Sequence, residues 1–159
     1  MRIAFNALSV TNLSGRHVLL GHAREVIGAT ASRVRHVLLY HAANRDLFEA
    51  LSGAVEGIEC PPATARWPAR WLWERTQLPR LLRKLGVEAL FLPAGMTAPG
   101  IDLPQMVLAQ NPWCFVPELH QGPGERLKAR LQRSAYRRAQ REATLMLYNS
   151  RYMRQVYDE

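Results

Sequence analysis

Short apolar runs closed by turn residues alternate along this chain with stretches whose apolar positions recur every three or four residues. The first pattern predicts strands buried on both faces, and the second predicts amphipathic helices. Strands are expected at Arg2–Leu8, Arg35–Tyr40, Val55–Cys60, Val87–Leu92, Met106–Ala109 and Thr144–Tyr148. Helices are expected from about Arg16 to Ile27, over Ala42–Leu51, Arg66–Leu85 and Glu125–Glu142, and from Arg151 to Glu159. Pro79 is expected to kink the third of these or split it in two. Gly86 reads as its C-cap, and Asn149-Ser150 as the cap of the last helix. Strands and helices in alternation predict an α/β domain with one parallel sheet and right-handed crossovers. The chain shows no internal repeat and no low-complexity segment.

The stretch Pro104–Phe115, PQMVLAQNPWCF, is the most informative. Its apolar run ends at Gln110 and Asn111, and ligands of parallel sheets sit just beyond the carboxyl ends of the strands. Two amides with donor and acceptor capacity, followed by Trp113, suit a hydroxyl-rich ligand such as a sugar. The same residues also fit a plain turn, with Asn111 held extended by Pro112 and Trp113 simply packed. After the first strand, the loop Ser9–Gly15 leads into a helix start, a geometry that offers backbone amides to a phosphate. It holds a single glycine and is neither a GxGxxG nor a Walker sequence, so an ordinary βα turn is the competing reading.

Between Arg66 and Leu85, the residues Trp67, Trp71, Leu78, Leu82 and Leu85 form one stripe expected to pack in the core. Trp73 falls on the opposite face, among Arg66, Arg80 and Lys84. In the Glu125–Glu142 helix, Arg126, Arg130, Arg133, Arg137 and Arg141 share one side. Such a stripe is either a solvated face or a surface for an anionic partner.

Composition narrows these choices. A length of 159 residues fits one domain, and 48% hydrophobic residues supply a core. A net charge of +8 predicts attraction to something anionic. No apolar run has the length of a membrane span, and MRIAFNALSV lacks the features of a signal peptide, so the simplest reading is a cytoplasmic protein. Cys60 and Cys114 read as free thiols. His17, His22, His36, His41 and His120 lack metal-ligand spacing, and no metal is expected. There is no Gly-x-Ser-x-Gly elbow, no Asp-x-Asp pair and no evident acid/base couple.

Four segments carry a resemblance to a known family. MRIAFNALSV with its loop and helix is similar to the start of family-4 retaining glycosyltransferases of the GT-B type. WERTQLPRLLRKLGVEALFLPAG, QMVLAQNPWCF and ATLMLYNSRYMRQVY resemble later elements of the same N-terminal, acceptor-side domain, in the same order. The resemblance implies a Rossmann-like parallel sheet of about six strands, one half of a GT-B fold. It further implies transfer of a sugar from a nucleotide-sugar donor to an acceptor hydroxyl with retention, without a cofactor or metal. Carried over by position, Asn12, Ser14 and Gly15 approach the donor phosphates, and Gln110 and Asn111 face the reacting sugar and acceptor. Many members have His-Asp where this chain has Gln110-Asn111, which rules out an ionisable group at that position here. The family's C-terminal donor-binding half, with its Arg/Lys pair and Glu-x7-Glu segment, has no counterpart in the chain, so a fragment is the expectation. Trp73, Trp113 and the arginine stripe fit an acceptor side lying on an anionic membrane, peripheral on its inner face, with a glycan or lipid-linked acceptor. The alternative is a non-catalytic α/β module that recruits an anionic lipid or phosphorylated ligand through the arginine-rich helix. Nucleic-acid binding has the charge but no reader module, and no specific nucleic acid is expected.

Overall fold

In the computed structural model, which describes residues 1–158, strands form at Arg2–Asn6 (β1), Arg35–Tyr40 (β2), Glu56–Glu59 (β3), Ala89–Leu92 (β4), Gln105–Ala109 (β5) and Leu145–Tyr148 (β6). All pair in parallel, in the order β3-β2-β1-β4-β5-β6. The chain therefore builds outward from β1 to one edge, returns to the centre for β4 and builds outward to the other. This is the six-stranded, Rossmann-like α/β sheet that the residue pattern predicts. Its helices are Leu13–Thr30 (α1), Arg45–Glu49 (α2), Trp67–Thr76 (α3), Leu78–Lys84 (α4), Gly122–Glu142 (α5) and Arg151–Asp158 (α6). The last was expected to reach Glu159, which lies outside the described residues.

Successive strand residues point to opposite faces, and each face has its own core. Ala4, Val37, Leu39, Leu90 and Val107 meet Leu78 and Leu82 of α4 on one side. Phe5, Leu38, Phe91 and Leu108 meet Leu19, Ala23 and Ile27 of α1 on the other. A third cluster joins Ala109 and Cys114 to Ala129 and Tyr136 of α5 and to Met153 and Tyr157 of α6.

Local chemistry explains where the elements begin and end. β1 stops two residues earlier than expected because Asn6 Oδ1 accepts a 3.1 Å hydrogen bond from the Leu8 amide, turning the chain out of the sheet. The helical segment Arg66–Leu85 splits in two at Gln77, as Pro79 leads one to expect. Pro79 then sits in the first turn of α4, where a missing amide costs nothing. α4 ends in a Schellman motif: Gly86 has φ +61, its amide bonds the Arg83 carbonyl, and the Val87 amide bonds the Leu82 carbonyl. Ser150 Oγ accepts from the Met153 amide at 3.1 Å and caps α6.

Gly95 and Gly100 both have φ +74, but only Gly95 is crowded. A Cβ at Gly95 lies 2.9 Å from the Tyr157 hydroxyl and 3.0 Å from the Tyr136 ring, whereas at Gly100 nothing lies within 4 Å. Gly100→Ala should therefore cost about 1 kcal/mol in urea unfolding, for the left-handed backbone alone. Gly95→Ala should cost about 2 kcal/mol or more. Equal losses would show that the loop after β4 is not wedged against the tyrosines.

Candidate functional site

All six carboxyl ends lie on one edge of the sheet, and the winding reverses between β1 and β4. Loops diverge at such a reversal and leave a crevice. Here it is a cleft of about 610 Å³, walled by the β1–α1 loop, α3, the loop after β4, the end of β5 and the middle of α5. A smaller cavity of about 150 Å³, lined by Asn6, Arg70 and Glu74, shares its walls with the cleft at Ser9, Trp67, Trp71 and Pro93.

Buried polar side chains pin the β1–α1 loop from below. Asn44 donates to the carbonyls of Ala7 (2.8 Å) and Val10 (3.1 Å), while its own oxygen accepts from the His41 amide (2.9 Å). Arg70 donates to the Leu8 carbonyl at 3.2 Å, and His41 Nε2 approaches the same oxygen at 3.3 Å. A neutral His41 with its proton on Nε2 satisfies that carbonyl and leaves Nδ1 unprotonated; the structure gives Nδ1 no partner. Burial, followed by the charges of Arg70 and Arg16, pushes the imidazole pKa down against the Leu8 hydrogen bond. These groups fix the loop before any ligand arrives.

Asn12, Ser14 and Gly15 all line the cleft, but two of them have a structural task. α1 starts three residues earlier than expected because Asn12 caps it, its Oδ1 accepting from the Gly15 amide at 2.8 Å. A Cβ on Gly15 would lie 2.7 Å from that oxygen, so the cap itself calls for glycine. Asn12 and Gly15, expected to approach the donor phosphates, bond to each other in this cap. Ser14 lies exposed in the first turn, at the positive end of α1.

Gln110 and Asn111 also line the cleft, at the end of β5. Gln110 Nε2 donates to the Pro93 carbonyl at 2.6 Å, tying the β5 end to the loop after β4. Asn111 is exposed, and its Oδ1 accepts from the Trp113 amide at 3.0 Å in a local turn. Trp113 does not reach the cleft. Its ring packs edge-on against His120 at 4.7 Å, and Lys128 Nζ lies 5.1 Å from the ring centre. The packed reading of Trp113 is the one the structure supports.

α3 reverses the expectation for its faces. Trp73, expected on an outer basic face, packs against the core cluster under the sheet. Trp67 and Trp71, expected in the core, are 67% and 52% exposed at the mouth of the cleft. The break at Gln77 uncouples α3 from α4, so the stripe that continues into Leu78 and Leu82 is not one helix face. The residues that α3 turns toward the sheet include Arg70 and Glu74, which the sequence pattern did not single out. Glu74 accepts from Asn6 Nδ2 at 2.8 Å. Burial pushes its carboxyl pKa up, and the Asn6 hydrogen bond and Arg70 charge oppose this without cancelling it.

The arginine stripe of α5 is not uniform. Arg133 bends inward: Nε and a terminal nitrogen donate to the Cys114 carbonyl at 3.2 and 2.7 Å, and its guanidinium lies 5.7 Å from the Phe115 ring. It is a strut rather than part of a solvent-facing stripe. Arg126, Arg130, Arg137 and Arg141 are exposed. Cys60 and Cys114 are buried free thiols, with burial raising them to about 12 and about 11, which favours the protonated thiol at neutral pH. Among the described residues no three His, Cys, Asp or Glu gather where they could hold a metal ion.

His36 is buried like His41, and burial lowers its pKa too. Below a pH of about 6.5 the unfolded chain takes up protons that these folded imidazoles refuse, so stability is lost as pH falls toward their lowered values. Unfolding free energy measured from pH 8 to 5 should decline below about 6.5. His41→Gln, which can still donate to the Leu8 carbonyl, should show a shallower decline, and an unchanged slope would contradict the neutral buried imidazole.

No family model, no curated protein and no solved structure matches the chain.

Proposed function

We propose that this chain is the acceptor-side half of a retaining glycosyltransferase of the GT-B type, acting with a nucleotide-sugar donor. The observation that carries the proposal is the cleft at the strand reversal, where the capped start of α1 and the Gln110–Asn111 pair line one space. The donor diphosphate belongs against the first turn of α1, near the Ser14 hydroxyl, where backbone amides and the helix dipole favour an anion. The reacting sugar belongs toward Asn111. Amides there can orient hydroxyls but cannot take a proton, so the leaving phosphate takes it. The bond from the anomeric carbon to the phosphate breaks, the acceptor oxygen bonds the same face of that carbon, and its proton passes to a phosphate oxygen. The rest of the donor site belongs to a second Rossmann-like half, like the one the family resemblance implies.

A specific feature of α5 favours a place on an anionic membrane. Leu127 and Leu131 are 59% and 64% exposed beside Arg126 and Arg130, a mixture of apolar and basic groups that suits a lipid headgroup layer. No helix among the described residues is long and apolar enough to cross a membrane, so contact through this helix would be peripheral.

Two experiments test these readings. If the reading frame continues into a donor-binding half, the full protein should transfer sugar from a nucleotide-sugar panel, and Asn111→Ala should lower kcat about tenfold or more. A frame that stops after Glu159, with no donor-half gene beside it, would contradict the transferase. For the membrane, Arg126→Glu with Arg130→Glu should weaken sedimentation with phosphatidylserine vesicles about thirtyfold, at about 1 kcal/mol per basic residue. Unchanged sedimentation would remove α5 as the contact.

A further inference from the structure

The cavity beneath α3 shares Trp67, Arg70 and Trp71 with the open cleft and differs from it in holding Asn6 and Glu74. Its floor holds Asn6, which is 2% exposed, hydrogen-bonded to Glu74, with Arg70 one helical turn before Glu74. Its mouth carries the two exposed indoles, Trp67 and Trp71, also one turn apart on α3. The Arg75 guanidinium lies 5.5 Å from the centre of the Trp71 ring, covering one face and holding the ring in place.

The loop accounts for Arg70 and Asn6, which bond the Leu8 carbonyl and amide, but not for the Glu74 carboxylate or the two exposed indoles. A helix face turned toward a sheet is ordinarily apolar, and burial raises the Glu74 pKa despite the Asn6 hydrogen bond and the Arg70 charge, so the carboxylate is incompletely compensated there. Two large indoles side by side at a cavity mouth form an exposed apolar patch. Together they make a polar floor with an aromatic wall. A pyranose matches both, having a face of C–H groups to lie on an indole and a rim of hydroxyls that each donate and accept.

The charge selects among ligands. Arg70 is balanced by Glu74, and Arg138 at the rim is paired with Glu142 at 3.6 Å. A phosphate or carboxylate would meet Glu74 directly, whereas a neutral hydroxyl can donate to it and accept from Arg70. At about 150 Å³ the cavity is smaller than typical drug-sized pockets of roughly 300 Å³ and above, and so takes one ring.

We propose that the cavity beneath α3 is a subsite for a single neutral sugar ring, which lies against Trp67 and Trp71 while its hydroxyls bond Glu74, Arg70 and Asn6. The subsite deepens the transferase reading by naming the acceptor class as a saccharide, and it rests on that reading only for this role. Binding itself needs neither donor nor second domain.

The test uses the 159-residue chain and methyl glycosides of glucose, galactose, mannose and N-acetylglucosamine, read by tryptophan fluorescence and saturation-transfer NMR. At least one should bind saturably. Glu74→Gln should weaken it about tenfold and Trp67→Ala about fivefold. Trp67 is two-thirds exposed, so its alanine variant should melt with the parent and serves as the folded control. No saturable binding by any of the four, or binding unmoved by both variants, would overturn the subsite. So would tighter binding of inorganic phosphate at the same residues. Sugar binding in a protein that transfers nothing would spare the subsite and remove the transferase, while transfer with no sugar bound at Glu74 would do the reverse.

Discussion

All six strands run in one direction, and that constraint governs where chemistry can happen in this molecule. Parallel neighbours cannot be joined by tight hairpins, so the chain must cross a face of the sheet between strands. Helices therefore cover both faces, and every carboxyl end emerges on the same edge. At the opposite edge lie two surface ion pairs, the terminal amine with Glu88 and Arg2 with Glu56. The carboxyl edge holds the cleft instead. Because the order reverses between β1 and β4, the loops that follow them part company, and α3 and α5 stand on either side of the gap.

What fills the gap is a polar scaffold. Asn44, His41 and Arg70 satisfy the carbonyls of Ala7, Leu8 and Val10, and Asn6 serves both the Leu8 amide and the Glu74 carboxylate. Rigid backbone at a strand end is what a diphosphate or a sugar needs, because ordering a loop on binding subtracts from affinity. One residue, Arg70, links the two parts, holding the β1–α1 loop with its guanidinium while its charge acts on Glu74 one turn further along α3.

The central strands were legible in the sequence because strands buried on both faces are near-continuous apolar runs. Val37–Tyr40 and Val107–Ala109 need no partner to be recognised. The loop after β5 was legible in position, with Gln110 and Asn111 at the cleft, but Trp113 could not be distinguished from a packed ring without His120 and Lys128 beside it. α3 was misread for a physical reason. Trp67, Arg70, Trp71 and Glu74 share the side that lines the cavity while Trp73 packs against the core, so amphipathic periodicity points the wrong way. The break at Gln77 then lends the stripe a false continuation into Leu78 and Leu82. Pro79 was the available signal: each side of it needed its own phase. Arg133 went unrecognised as a strut for a similar reason, since spacing places an arginine on a face but cannot show that its guanidinium turns back to a carbonyl.

Arg70 of α3 holds the β1–α1 loop, whereas Glu74 beside it is there for a ligand and not for the fold. Unfolding of Glu74→Gln in urea at pH 7 measures this most directly. Burial raises the folded Glu74 pKa above its unfolded value, so the ionised carboxylate is a cost to the folded state at pH 7. The amide keeps an acceptor for Asn6 and removes that cost, and the variant should be as stable as the parent or more so. A clear loss of stability would mean that Glu74 is a structural strut, and the case for a binding site beneath α3 would fail.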